Sequence, residues 1–402
     1  MTRRRVFVAG LGAITPLGAT WLKSVGRLAA GHSAVRPVTA FDVTGFPSTV
    51  AAPVPERFPQ SPDRRLGLCQ LAANEAWSMS QVTSPRARVG IYVGAESGRA
   101  SIATILALTR AAGGGRTFDH RSFGVAAREL ASQIDAATVS PAAVASALAK
   151  EYGAAGPVQT LSIACASGAA AILEGARAIR LGVCDVALCG GVGADVDPLM
   201  LAGFGKLSAL SSRGESCPFD IRRDGFVVGE GAAMVVLSAD PHESVAEITG
   251  LGRTLDAYHL TQPDPQGDGA ARAMQAALRD AQRDGVDYIQ AHGTSTRLND
   301  EVEARAIHRV FGEHTPQVYV SSVKGALGHW VAGAGAVGFL CALEAVRSGV
   351  LFPTAGLHTP DPTCVLRHVM SRAVQVPITA ALCNAFAFGG VNVSLVVEKG
   401  KV

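Results

Sequence analysis

The chain repeats itself. The run "VFVAGLGAITPLG" near the start is matched near the middle by "AEITGLGRTLDAY", each β-rich and each turning at Gly-Leu-Gly. Further on, "QTLSIACASGAAAILEGARAIRLG" parallels "VYVSSVKGALGHWVAGAGAVGFLCALEAVRSG": an apolar strand, a turn bearing a reactive side chain, then a long helix of small and apolar residues. Both halves close on a glycine-rich turn and a β run, "GEGAAMVVLSA" and "FGGVNVSLVVEK". Two copies of one plan must then pack as pseudo-twins. Strands alternating with helices of this length predict an α/β class, parallel sheets covered by helices, with halves at 1–240 and 241–402.

In the first long helix Ala169, Ile172, Leu173, Ala176 and Ile179 make an apolar face, with Glu174, Arg177 and Arg180 off it; in the second, Gly333, Gly335 and Gly338 allow close backbone approach. Only 17% of the 402 residues are charged against 48% hydrophobic, so these helices are expected to be buried on most sides, and some surface against a second subunit. The strand–helix junctions of the two halves should meet near the centre, where a catalytic set can be assembled from distant sequence. A net charge of +3 is too small for a nucleic-acid partner. The eight cysteines show neither zinc spacing nor a disulfide framework, which fits a reducing, cytoplasmic setting. "MTRRR" precedes an apolar run that is too short to span a membrane and contains Pro16, so no membrane insertion and no secretory segment are expected.

Three stretches carry chemistry. In "LSIACASGAAAI", Cys165 stands where a helix starts, and the positive end of the helix dipole favours its thiolate. The small flanks Ala164, Ala166, Ser167 and Gly168 leave room for a substrate carbonyl. An ordinary buried cysteine fits the local motif as well, and the other seven cysteines keep that reading. In "YIQAHGTSTRLNDEVEARAI" an apolar run ends at His292 before a polar turn and an acidic helix; alone, such a histidine is more often structural than catalytic. In "VSSVKGALGHWVAGAGAVG", Lys324 and His329 flank a Gly-x-x-Gly turn in the region equivalent to Cys165. A lysine amid so much apolar sequence needs a partner, and Asp300 or Glu303 can supply one. One Cys, two His and one Lys at the strand ends of a duplicated fold suit acyl transfer through a thioester, followed by chemistry on a second acyl group. "GLGAITPLG" has Thr15 where a dinucleotide fingerprint needs its third glycine, which speaks against a nicotinamide or flavin site.

With "ACASG", "AHGTST" and "KGALGH" stand "CPFDIRRDGFVVGEGAA", "LDAYHLTQPDPQGDGAARAM" and "NAFAFGGVNVSLV". In this order and spacing they resemble the β-ketoacyl-acyl carrier protein synthases of the thiolase superfamily, type II, Cys-His-His class, over nearly the whole chain. The resemblance implies a thiolase fold of duplicated α-β-α-β-α layered halves. It implies that Cys165 accepts the acyl group, that His292 and His329 bind the malonyl thioester and promote its decarboxylation, and that Lys324 organises the site, paired with Glu303 and supported by Asp300. The thioester oxyanion is then expected on the backbone N–H groups of Cys165 and Phe388, with no metal or organic cofactor. The family's Gly-Phe-Gly-Gly gate reads Ala387-Phe388-Gly389-Gly390; if position 387 needs a positive φ, its alanine restricts the loop. Phe204 resembles a second aromatic guarding the acyl pocket, with core packing the alternative for both phenylalanines. The segment 94–115 lies where the family places its dimer contact and the floor of the acyl tunnel, so small residues there are expected to lengthen the pocket.

The implied partners are an acidic acyl carrier protein bearing acyl or malonyl groups, received by Arg64, Arg65 and Lys206, and a second ketosynthase-like subunit, identical or of the chain-length type. Two alternatives stay open. A non-elongating chain-length-factor subunit generally lacks the nucleophile. A CoA-dependent thiolase or acyltransferase uses a late second cysteine, where this chain has "NAFAFGG" with Cys383 off the motif. Fatty acid and polyketide or polyene pathways are both compatible, with Ala387 and the high Ala and Gly content leaning toward specialised metabolism.

Overall fold

A computed structural model describes residues 3–55, 63–82, 84, 86–114, 117–242 and 244–400. These form an eleven-stranded sheet of β1 (Phe7–Ile14), β2 (Val89–Gly94), β3 (Val158–Leu161), β4 (Val186–Ala194), β5 (Glu230–Ser238), β6 (Ala246–Leu255), β7 (Tyr288–Gln290), β8 (Tyr319–Ser321), β9 (Arg367–His368), β10 (Ala380–Phe386) and β11 (Val391–Glu398). The first half lies in the order β3-β2-β4-β5-β1 and the second in β8-β7-β10-β11-β6, the same permutation, with β9 added at the far edge. The halves join where β1 and β6 pair antiparallel, Phe7 opposite Glu247 and Val8 opposite Ala246.

The sheets are mixed rather than parallel. β2 runs parallel to β3 and β4, and β7 parallel to β8 and β10, but β4–β5, β5–β1, β10–β11 and β11–β6 are antiparallel. Connection length explains the last turn of the chain: residues 387–390 join β10 to β11 as a hairpin, far too short for the crossover that a parallel pair needs.

Between the two half-sheets lie α1 (Ser167–Arg180) and α2 (Ala334–Ser348), packed on each other and on strands of both halves. The helices Arg64–Ser80 and Ala143–Glu151 cover the outer face of one half; Asp268–Asp280, flanked by Arg297–Phe311, covers the other. The result is five layers, α-β-α-β-α. The apolar face read for α1 is buried, and Arg177 is exposed. In α2 every residue from Ala334 to Val346 is buried. Its one acid, Glu344, accepts hydrogen bonds from the Trp21 indole and Arg347. The segment Val331–Ser348 is apolar and long enough to cross a membrane, but it is spent on this central layer.

The repeated Gly-Leu-Gly is not a turn. Gly10 and Gly12 lie within β1, and Gly250 and Gly252 within β6. A Cβ on Gly12 would meet Ala72 O at 2.4 Å in the helix Arg64–Ser80, and one on Gly252 would meet Ala273 O at 2.0 Å in Asp268–Asp280. The motif repeats because in each half a helix backbone is laid directly on a strand. Gly12→Ala and Gly252→Ala are each expected to lower stability in denaturant unfolding by about 3 kcal/mol. Gly124→Ala, in the helix His120–Glu129 with nothing near its missing Cβ, is expected to gain up to about 1 kcal/mol.

Candidate active site

Cys165 sits in a 3₁₀ turn, Ala164–Ala166, between β3 and α1. The turn is strained: Ala164 has φ +50°, a left-handed conformation that a side chain disfavours by roughly 1 kcal/mol or more. Glu96, just past β2, holds it there, accepting the Ala164 N–H at 2.9 Å and the Ser162 hydroxyl at 2.7 Å. Ser167 closes the turn, donating to Ala164 O at 2.7 Å and accepting the Ile163 N–H at 2.9 Å. The second half has the same device before α2, where Val331 has φ +46°. The counterpart of Cys165 is therefore Ala332; Lys324 and His329 lie upstream of it.

His292 follows β7, and two buried carboxylates fold the "AHGTST" turn around themselves. Glu303 accepts the N–H groups of His292 at 2.8 Å and Gly293 at 2.7 Å. Asp300 accepts those of Phe219 at 2.8 Å, Thr294 at 2.9 Å and Ser295 at 3.1 Å. Asn384 donates to Glu303 at 3.1 Å and accepts from Ser394 at 2.8 Å. The acids thus staple backbone, and neither pairs directly with Lys324, as the sequence had suggested; their lone pairs are taken by amides. Lys324 Nζ donates instead to His292 O and to His292 Nδ1, the latter at 3.4 Å, while the Glu303 charge acts on it through space.

His329 is pinned by its backbone, donating to Val227 O at 2.8 Å and accepting from Gly229 at 3.0 Å. Its Nδ1 accepts the Val331 N–H at 3.2 Å. A backbone amide and an ammonium can only donate, so in both histidines Nδ1 is the acceptor and Nε2 carries the proton. Burial, together with the Lys324 charge, holds both imidazoles well below their ordinary pKa of 6.5, and so neutral. The rings lie 5.7 Å apart between centroids at 81°. Phe226 meets His329 edge-on at 5.0 Å and in turn packs on Phe204 at 5.3 Å; Phe386 lies 5.7 Å from His292.

Cys165, His292 and His329 line one cavity of about 310 Å³, with Phe204, Phe226, Phe386 and Phe388 also in its wall. Lys324 stands behind His292, outside that lining. Burial pushes the Cys165 thiol up to about 12 despite the opposing pull of Lys324, so the expected resting thiolate gives way to a thiol.

Residues 3–242 match the family model "Beta-ketoacyl synthase, N-terminal domain", and residues 245–358 match "Beta-ketoacyl synthase, C-terminal domain". The chain belongs to the β-ketoacyl synthase family. It is 34% identical to a 3-oxoacyl-[acyl-carrier-protein] synthase 2 of Coxiella burnetii, over 99% of both chains. Among solved structures it is similar to a chain of the ishigamide ketosynthase/chain length factor, with TM-score 0.87 at 32% identity over 99% of this chain and 100% of that one. It is also similar, with TM-score 0.87 at 29% identity over 100% of both chains, to a chain of a type II polyketide ketosynthase complexed with its acyl-carrier protein and bound to the hexaketide.

Against the synthase pattern, Ala387 fits without strain, because the positive φ angles fall on Gly389 (+84°) and Gly390 (+76°). Its N–H donates to Val391 O at 2.9 Å, closing the hairpin, while Gly389 N–H donates to Leu260 O at 2.7 Å. Among the described residues the Phe388 N–H has no acceptor. Of the three basic residues assigned to a carrier protein, only Lys206 is exposed near the cavity mouth, beside Leu207 and Ser208. Arg65 is buried, its guanidinium donating to Asp63 and to the carbonyls of Glu96 and Thr138, so it braces the loop that holds the nucleophile turn. Arg64 turns inward to Glu230 at 2.8 Å and to Val54 O at 3.0 Å.

Four supports escaped the sequence reading: Glu96, Asn384, Phe226 and Phe386. Asn384 opens the "NAFAFGG" stretch and Phe226 stands in "RRDGFVVGEG"; Glu96 is marked only as a lone acid among small residues. The alkylation rate of Cys165 by iodoacetamide is expected to keep rising past pH 10 without a plateau, and Lys324→Met, which removes the charge that lowers the thiol's pKa, to slow it further at every pH below that.

Proposed function

We propose that Cys165 carries an acyl group through a decarboxylative Claisen condensation with malonyl-acyl carrier protein, giving β-ketoacyl-acyl carrier protein for fatty acid or type II polyketide or polyene synthesis. The observation that carries this reading is the pair of neutral imidazoles, each with its Nε2–H available, in the same cavity as the cysteine. In this scheme residues 1–240 supply the nucleophile, and residues 241–402 supply both histidines and Lys324.

In the first step Sγ of Cys165 attacks the carbonyl of the acyl thioester. The carrier's thiolate leaves and the cysteine proton goes to it. The oxyanion is received by the N–H groups of Cys165 and Phe388, the latter otherwise unpaired among the described residues. In the second step the malonyl thioester oxygen lies between His292 and His329, and the C–C bond to the carboxylate breaks. The enolate negative charge grows on that oxygen, facing two N–H donors that need no reorganisation. The enolate carbon then attacks the Cys165 thioester, the C–S bond breaks and the thiolate recovers a proton from solvent. Neutral histidines suit this step, since an imidazolium would attract the malonyl carboxylate and oppose its loss as CO₂. Burial keeps them so, and Lys324 adds to it through its charge and its bond to His292 Nδ1.

The partners are an acyl carrier protein approaching past Lys206 and Phe388, and a second ketosynthase-like subunit, identical or of the chain-length type. The setting is the cytoplasm, in keeping with eight free cysteines, all buried. His292→Ala and His329→Ala are each expected to slow CO₂ release from malonyl-acyl carrier protein by about 10²–10³-fold while Cys165 acylation stays within a few-fold. Equal loss of both steps in either variant contradicts the assignment. Because the imidazoles stay neutral below their ordinary range, the acid limb of CO₂ release is expected below pH 6.5, and a limb at 6.5 or above contradicts it.

A further inference from the structure

The sequence places the floor of a lengthened acyl pocket in 94–115, yet among the described residues none of that stretch lines the cavity that holds Cys165. Its one acid, Glu96, turns instead to the backbone beside the nucleophile. Oε1 accepts the Ala164 N–H at 2.9 Å, and Oε2 accepts the Ser162 hydroxyl at 2.7 Å. Ala164 is the left-handed residue immediately before Cys165, with φ +50°. Such strain persists only where the surroundings over-determine it. The loop carrying Glu96 is itself fixed from behind: buried Arg65 donates to Glu96 O and to Thr138 O, and the Gly98 N–H donates to Val139 O at 3.0 Å. A Cβ on Gly98 would lie 2.1 Å from Thr138 O, so the loop has no room to shift that way.

The second half uses the same kind of clamp with a different side chain. Its left-handed residue is Val331, whose N–H is accepted by His329 Nδ1 at 3.2 Å. There the acceptor is a neutral imidazole, whereas in the first half it is a carboxylate whose charge reaches the nucleophile. Burial does most to keep Cys165 a thiol; of the charges acting on its sulfur, Lys324 opposes that effect and Glu96 and Asp195 add to it, while His292 and His329 in the same wall are neutral. The hydrogen bonds of Glu96 and its charge therefore act on Cys165 in opposite senses, and substitution can separate them.

We propose that Glu96 is a positioning residue for the loading of Cys165: its carboxylate, locked by Arg65, fixes the left-handed turn that presents the sulfur to an incoming thioester, and it governs that step rather than decarboxylation. The inference rests on the reading of Cys165 as the acyl-accepting residue. Attack on a thioester carbonyl depends on where the sulfur stands, and a misplacement of about 1 Å costs on the order of a hundredfold in rate. The histidine pair is held by other partners, His292 by Glu303 and His329 by Val227 and Gly229, so removal of Glu96 leaves it in place. A glutamine at this position still accepts the Ala164 N–H through Oε1 and can donate to the Ser162 hydroxyl oxygen, but it carries no charge.

The test follows two single-turnover rates on each preparation: acylation of Cys165 from octanoyl-acyl carrier protein, read by intact mass, and CO₂ release when the loaded protein meets malonyl-acyl carrier protein. Glu96→Ala is expected to slow acylation about 10- to 100-fold and to leave CO₂ release within about threefold. Glu96→Gln is expected to restore acylation to within about threefold of the wild type and, having dropped the charge, to raise iodoacetamide alkylation of Cys165 at pH 8 by about threefold, the effect of half a pKa unit. A rise in alkylation beside intact acylation cannot come from a loosened fold. Glu96→Asp keeps the charge but draws the carboxylate back by one methylene, and is expected to slow acylation at least about threefold with alkylation no faster, which decides the matter if the alanine variant fails to fold. Equal loss of both steps in Glu96→Ala, or loss of neither, overturns the inference. So does a glutamine variant that acylates as slowly as the alanine one or alkylates no faster than the wild type, and so does an aspartate variant that acylates at the wild-type rate. Absence of any adduct on Cys165 of the wild type overturns instead the acyl-accepting reading on which the inference stands.

Discussion

Two helices with uncharged first halves, α1 and α2, lie against each other between the half-sheets, and the placement of Cys165 and His329 follows from that contact. Each helix begins with a 3₁₀ turn entered through a left-handed residue, Ala164 in one half and Val331 in the other. Because the helices are packed together, their starting turns come together too. One presents a thiol. The other leads back to His329, whose imidazole accepts the N–H of Val331, the strained residue itself. A charged side chain anywhere on the facing surfaces would have to be buried without water, so the alanine and glycine that look featureless in sequence are what allow the two junctions to meet.

The same burial sets the electrostatics. The thiol, the imidazoles and the Glu303 carboxyl are all driven toward their neutral forms: thiol rather than thiolate, imidazole rather than imidazolium, and Glu303 raised to about 6. Backbone amides compensate the two carboxylates, five N–H groups in all when the donors to Glu303 and Asp300 are taken together. Lys324 stands behind the site as a cation, anchored on a carbonyl and a ring nitrogen rather than on an acid. Such a cavity offers donors to charge that develops during reaction while holding little charge of its own at rest, the condition under which fixed dipoles act most strongly.

Much of this was legible in the sequence, and for identifiable reasons. The repeat disclosed two halves built on one plan, and the strand order in each is the same permutation. Cys165, His292, His329 and Lys324 each stood in a glycine-rich break between an apolar strand and a helix, and such breaks in this fold cluster at one end of the sheet. What stayed hidden depended on geometry that pattern does not encode. Gly-Leu-Gly looks like a turn, but here it marks close helix-on-strand packing. Glu303 and Asp300 looked like lysine partners because charge suggests charge, whereas burial turned them to amides. Arg65 looked like a surface cation and is a buried brace. The mixed direction of the sheets was missed because a short hairpin at 387–390 reads as just another glycine-rich loop.

The central claim is that one cavity joins an acylated Cys165 to a decarboxylating histidine pair. A single-turnover chase tests it most directly. Protein first loaded on Cys165 from an acyl-acyl carrier protein and freed of excess donor is mixed with malonyl-acyl carrier protein, and the masses of both proteins are followed together. The account predicts that the adduct leaves the protein as the carrier gains a β-ketoacyl group extended by an acetyl unit, with one CO₂ released per adduct lost. An adduct that persists, or departs only by hydrolysis while the malonyl carrier is unchanged or merely decarboxylated, contradicts it.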